Sequence, residues 1–301
     1  MRISTTWNHQ LGVDAMLEQQ SKLSDTQLKL SSGKKYLSPS ENAPAAVSLI
    51  NLEQNIKENQ QFQTNIGAAR QRLELQESSL ENATNVLQRI RELAVQGMND
   101  SNTVTNRQEI AAEIDQLNKQ LLGIANTKNA NGEYLFAGYK SDTIPYLDTP
   151  TFAYQGDANQ RSIAIGPNRT ITDGDAGEAV FGTIAPAVTV GSINSVFQAI
   201  KQVSQNLKAN TPQSGSLDDI DRAMVRFETT RASTGARLHA LDDQQNLNTD
   251  YILANKTTAS AIGDLDYADA LSKFSLQQTS LQAAQAAFTK VQNLSLFNYI
   301  S

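Results

Sequence analysis

The chain has 301 residues, a formal net charge of −6 and no cysteine, with a pI near 5.1. The acidic balance leaves no basic stripe for nucleic-acid phosphates, and the missing thiols exclude disulfides, thiol catalysis and cysteine-held metals. A hydrophobic fraction of 39% favours long helices with narrow apolar seams over a thick core, and no run approaches the roughly 18 apolar residues of a membrane span.

In chain order, Met1-Arg2-Ile3-Ser4-Thr5-Thr6-Trp7 has no apolar core of the kind a cleaved Sec signal peptide needs. If the protein leaves the cytoplasm, a route without such cleavage is expected. A heptad row follows, with His9, Met16, Leu23, Leu30 and Leu37 seven residues apart. A seven-residue apolar repeat lets one helix wind around another. The first helix is predicted from about Val13 to Lys35, with Ser31-Ser32-Gly33 as its stop. Pro39 and Pro44 make residues 38–44 a connector. A long helix then runs from Ala45 to about Met98 on the seam Ile66, Leu73, Leu80, Leu87 and Ala94. A third carries Ile110, Ile114, Leu117, Leu121 and Ile124 and ends at Asn129-Ala130-Asn131-Gly132, and its short connection predicts antiparallel packing on the second.

From Glu133 to about Gly191 the heptads vanish and Gly, Pro, Asp and Thr become frequent, which predicts several short strands and tight turns. Helical periodicity returns at Ile193 to Leu207. Another long pattern begins near Leu217, with Met224, Leu238, Ile252 and Ala259 on one row and Phe227 and Leu241 beside it. A last helix starts around Asp264 on the row Tyr267, Phe274, Leu281 and Phe288, and Val291, Leu294 and Phe297 complete its apolar set.

The predicted fold class is therefore mainly α, an elongated helical rod with terminal coiled-coil segments from both chain ends and a small β-rich inserted domain. Residues 1–44 and 260–301 are the terminal assembly segments, 45–138 and 192–259 the helical rod, and 139–191 the insert. The nested order places both termini at one end and the insert at the other.

The C-terminal segment from Ala261 carries few charges and a seam glutamine, Gln277. Such a helix is marginal alone and frays until a partner covers it. About the first forty and last forty residues are accordingly expected to be disordered in the free chain. The pairing of the two termini leaves the Leu11, Leu17, Leu28, Leu271 and Leu276 rows for other copies. The candidate assembly residues are Met16, Leu23, Leu30, Leu37, Tyr267, Phe274, Leu281, Phe288, Val291, Leu294 and Phe297.

Catalytic chemistry is not expected. His9 and His239 read as ordinary helix residues without metal-site neighbours. Asp218-Asp219 and Asp242-Asp243 read as helix-start and surface charge. The run Thr172 to Glu178 resembles a calcium loop faintly, lacks its ligand spacing and reads as a β-turn. Gly235 reads as a packing notch inside a helix. There is no Gly-rich phosphate loop or nucleophile elbow, and no cofactor is implied.

Leu30-Ser31-Ser32-Gly33-Lys34-Lys35 with Pro39-Ser40-Glu41-Asn42-Ala43-Pro44-Ala45-Ala46, Arg91-Glu92-Leu93-Ala94-Val95-Gln96, Asn131-Gly132-Glu133-Tyr134-Leu135-Phe136-Ala137-Gly138 and Asp264-Leu265-Asp266-Tyr267-Ala268 together resemble the flagellin superfamily of bacterial flagellar axial proteins. The start Met1 to Thr5, the segment Tyr154-Gln155-Gly156-Asp157 with Gln160-Arg161, and the ending Leu294 to Ile300 are similar to its members at the junction between hook and filament. The resemblance implies a non-enzymatic structural adaptor, a ring of identical subunits contacting a neighbouring hook-associated junction protein and presenting a surface for flagellin. It also implies export through the flagellar type III channel, a cytoplasmic export chaperone on the C-terminal segment, and an extracellular place in the flagellum. No nucleic acid or membrane partner is implied. The alternatives are a filament-forming flagellin with a reduced outer domain, and a non-flagellar secreted coiled-coil scaffold.

Overall fold

A computed structural model of the chain describes residues 2–183 and 195–300, with side chains described from Trp7 to Lys290, Asn8 excepted. Seven helices and one hairpin occur among them. They are α1 (Arg2–Ser32), α2 (Ala43–Met98), α3 (Val104–Ala125), β1 (Ser162–Gly166), β2 (Arg169–Thr172), α4 (Gly177–Phe181), α5 (Val196–Lys208), α6 (Gly215–Gly263) and α7 (Tyr267–Ile300). The chain divides into two compact units, residues 1–58 with 250–301, and residues 59–249. Both α2 and α6 contribute to each.

Local chemistry sets the helix boundaries. Asn42 accepts the Ala45 N–H at 3.1 Å and starts α2 ahead of Pro44. Thr103 caps α3 through the Asn106 N–H, and Ser195 caps α5 through the Gln198 N–H. The end of α2 is closed from another helix. Buried Arg107 donates from Nε to the Gly97 carbonyl at 3.0 Å and from Nη2 to the Asn99 carbonyl at 3.1 Å, which satisfies carbonyls that helix geometry leaves open.

In the unit of residues 59–249, α2 and α3 run antiparallel, as the Arg89–Glu113 and Arg107–Gly97 contacts require. The predicted seam residues Leu80, Leu87 and Ala94 of α2 are buried in one core with Ile110, Ile114 and Leu121 of α3. Helix α5 closes on α3, and the Leu207 methyls come so near α2 that a Cβ on Gly97 would lie 2.8 Å away. On α6 the inward row is Phe227 and Leu241, both fully buried, while Met224 and Leu238 pack at its edge. An aromatic cluster fills the other side of this core. Phe181 lies 5.2 Å from Phe136, 5.2 Å from Phe227 and 5.7 Å from Phe197, distances at which rings attract beyond simple burial. Burial raises the pKa of its phenols Tyr146 and Tyr154, and Tyr154 is pushed up to about 12.

The inserted region carries a small sheet, as expected, with two strands rather than several. Only one hairpin forms among the described residues, with Ile163 opposite Ile171, Ala164 opposite Thr170 and a bulge before Gly166. Its apolar side chains Ile165 and Ile171 pack against Ile66, Ala69, Leu73 and Leu241 of the helices. Two strands cannot bury a core of their own, so the hairpin shares that of α2 and α6. Residues 184–194, the end of the predicted insert and the start expected for α5, lie outside the described residues.

Of the run expected to be a β-turn, Thr172 ends β2, Gly177 and Glu178 begin α4, and residues 173–176 between them form a loop clamped from two helices. Arg161 pairs with Asp173 at 2.5 Å and Arg237 pairs with Asp175. Gln76 of α2 donates to Asp175 at 2.6 Å and to Thr234 of α6 at 2.9 Å. Arg72 of α2 donates to the Leu135 carbonyl at 3.1 Å and stands 3.5 Å from Glu133. The carboxylates are engaged by arginines, which is why the resemblance to a calcium loop has no chemistry behind it. The notch expected at Gly235 is also absent, since a Cβ there would meet open space.

Candidate assembly surface

Residues 1–58 and 250–301 build the second unit around the antiparallel pair α1 and α7. The His9 ring meets the Phe288 ring edge-on at 4.7 Å. At the other end of the pair Gly33 faces the Tyr267 hydroxyl. Met16, Leu23 and Leu30 on α1 and Phe274, Leu281 and Phe288 on α7 are half-buried and turn toward the partner helix, with Ala270 buried beside them. The heptads of the two chain ends thus meet each other.

Two predicted residues stand outside this seam. Leu37 continues the heptad arithmetic, but α1 ends at Ser32 and Gly33 takes a φ of +69°, a left-handed conformation that stops a helix. Leu37 therefore sits in the connector and is exposed. Tyr267 opens α7 and is exposed apart from its contact with Gly33. Val291, Leu294 and Phe297 lie outside the residues whose side chains are described.

The pairing leaves further apolar side chains exposed on both helices. Leu17 and Leu28 on α1 are 58% and 54% exposed, and Leu271 and Leu276 on α7 are 54% and 68% exposed. Trp7 and Leu11 extend that set toward the chain end. The seam beneath is weak by itself, because the Gln277 side-chain oxygen is buried in it without a hydrogen-bond partner among the described residues.

Where α1 gives way to α2, Lys29 of α1 holds Glu41 at 2.7 Å, and the Leu37 N–H donates to the same carboxylate at 3.0 Å. The hydrogen bond from Lys29, followed by that from Leu37, holds the Glu41 carboxyl below its ordinary value. Beside this connector opens a groove of about 440 Å³ lined by Leu37, Pro39, Ala46, Leu49, Ile50 and Gly263. Ile50 on α2 lines it and is exposed, as are Val47 on α2 and Tyr251 and Leu253 on α6 in the same unit. Sequence reasoning missed these four. The signal available was phase, since Val47 and Ile50 fall off the heptad row that runs through Ile66 and Leu73.

No group of three or more metal-binding side chains occurs among the described residues, and no described helix is long and apolar enough to cross a membrane. The arrangement defines a class of helical proteins whose two chain ends form one paired-helix unit with exposed apolar side chains.

The sequence comparisons place the chain within that class. Residues 3–141 match the bacterial flagellin N-terminal helical region and residues 217–300 the bacterial flagellin C-terminal helical region; the chain belongs to the bacterial flagellin family. It is 30% identical to flagellar hook-associated protein 3 of Escherichia coli (strain K12) over 99% of both chains. Its match to the flagellin of Bacillus subtilis (strain 168) is 31% identical but covers 70% of this chain and 69% of that one. The crystal structure of flagellar hook associated protein-3 from Legionella pneumophila aligns with 70% of this chain and 98% of its own, at a TM-score of 0.63 and 22% identity. That likeness is one of fold.

Proposed function

We propose that this protein is a non-catalytic structural subunit of the bacterial flagellum that joins hook to filament and offers flagellin its first docking surface. The carrying observation is the double use of the terminal helices: one apolar row closes α1 on α7, and further leucines of both helices, Leu17, Leu28, Leu271 and Leu276, stay exposed. In this reading identical copies cover these leucines and form a ring, a neighbouring hook-associated junction protein lies on one side of it, and flagellin lies on the other. Ordering of the terminal pair completes as copies assemble, because a seam with an unpaired amide needs the outer contacts. The subunit works outside the cell after export without a cleaved signal peptide, and a cytoplasmic chaperone holds its C-terminal segment beforehand. The full-length match to a hook-associated protein, against a partial match to flagellin, favours a junction subunit over a filament subunit.

The test is Leu17→Asp with Leu276→Asp in a strain lacking the wild-type gene. The expected variant is folded, absent from hook tips and non-motile, with unpolymerised flagellin in the medium. Normal motility and normal incorporation would overturn the proposal.

A further inference from the structure

The seam between α1 and α7 repeats every seven residues, so it specifies its own register poorly. A slip by one heptad sets Leu23 where Leu30 was and Leu281 where Phe288 was, still apolar against apolar. The register must come from outside the repeat. Two features of this unit supply it.

The first joins two motifs far apart in sequence, Leu30-Ser31-Ser32-Gly33 and Asp264-Leu265-Asp266-Tyr267. The Leu265 N–H donates to the Gly33 carbonyl at 2.9 Å, and the Lys35 N–H donates to the Gly263 carbonyl at 2.8 Å. Lys34 and Asp264 are thereby paired as in an antiparallel ladder. Gly33 has a φ of +69°, and a Cβ there would lie 2.9 Å from the Tyr267 hydroxyl. Backbone bonds of this kind admit one alignment. The second feature lies toward the other end of the pair, where Gly12 leaves room for the Phe288 ring and a Cβ would come within 3.1 Å of it. A one-heptad slip would set Phe288 against position 5 or 19, and these are Thr5 and Gln19.

We infer that Gly33, Tyr267 and Gly12 are positioning residues that lock α1 and α7 in one register, and that this lock places their exposed leucines. Leu17 and Leu28 on one helix and Leu271 and Leu276 on the other stay exposed and keep one relative placement in the locked register. A one-heptad slip shifts the two pairs by about 10 Å, seven residues at the helical rise. The functional consequence rests on the assembly reading above.

The absence of native cysteine allows nitroxide labels to be placed only at Leu17→Cys and Leu276→Cys in the full chain. Trimethylamine N-oxide would hold the helix pair together, with helicity followed by circular dichroism. The parent should give one narrow distance distribution. Adding Gly33→Val and Gly12→Leu should give a second population at a different label separation, as the axial offset of the labels changes by about 10 Å, with helicity kept. Replacing Phe288 as well as Gly12 (Gly12→Leu, Phe288→Ala) moves the bulk across the seam and should restore the single distance. A parent with two registers, a Gly33 and Gly12 variant that keeps the parental distance, or a swap that fails to restore it would each overturn the lock. Register is read here as a distance and the assembly surface as incorporation, so either can fail without the other.

Discussion

Asp173 shows how a single side chain ties a hairpin to helices. It is fully buried, accepts Arg161 at 2.8 and 2.5 Å, and stands 4.0 Å from buried Arg72. Asp173→Asn removes the carboxylate charge from part-exposed Arg161 and leaves buried Arg72 with Glu133 at 3.5 Å as its remaining counterion. The loss should fall below the roughly 3 kcal/mol of a fully buried broken pair, measurable as a lower urea midpoint with unchanged slope. Glu41 works at the surface and titrates. Its carboxyl is held below the ordinary value of 4.5 by Lys29 and the Leu37 N–H. Its contribution is therefore complete above that value and disappears as pH falls through the lower folded value. Glu41→Gln should flatten the acid limb of connector stability between pH 5 and the foot of the transition, seen in the amide shift of Leu37. The heptads and caps were legible residue by residue. The partners of Asp173 and Asp175 were not, because Arg161 lies on the far side of the hairpin and Arg237 is distant in sequence, so local spacing carries no trace of them.

At the scale of elements, the two units should respond differently to loss of an aromatic ring. Phe181 is fully buried among Phe136, Phe197 and Phe227, so Phe181→Ala should cost about 3–5 kcal/mol in chemical unfolding. Phe288 is half-buried in a thin seam. Phe288→Ala should barely move that transition while removing amide-exchange protection from α1 and α7 together. Equal loss of global stability in both variants would contradict the division into two units. The long helices α2 and α6 were legible because their seams repeat over many turns. The hairpin was over-read as several strands, since Gly-, Pro- and Asp-rich sequence marks irregular backbone as readily as turns between strands. Leu37 was misplaced for the converse reason: heptad counting does not register that Gly33 has already ended the helix.

At the scale of the whole molecule, the sequence analysis and the structure agree on a mainly helical chain whose ends are made for each other. The family match then supplies the setting in which the remaining exposed leucines have a use. Sequence could show that the Leu17 and Leu276 rows were uncovered; only the structure shows that Leu17, Leu28, Leu271 and Leu276 remain exposed after the inner seam has closed. The clamp on the loop of residues 173–176 carries a consequence for timing. It takes Gln76 from α2, Asp175 from the loop and Arg237 from α6, and the hairpin carbonyl of Ile165 is met by Asn248 further on. A chain made from its first residue onward therefore has no means of closing this clamp until almost five-sixths of it is available. Contacts of such long sequence separation slow folding. The nascent protein is thus kept late in reaching its final form.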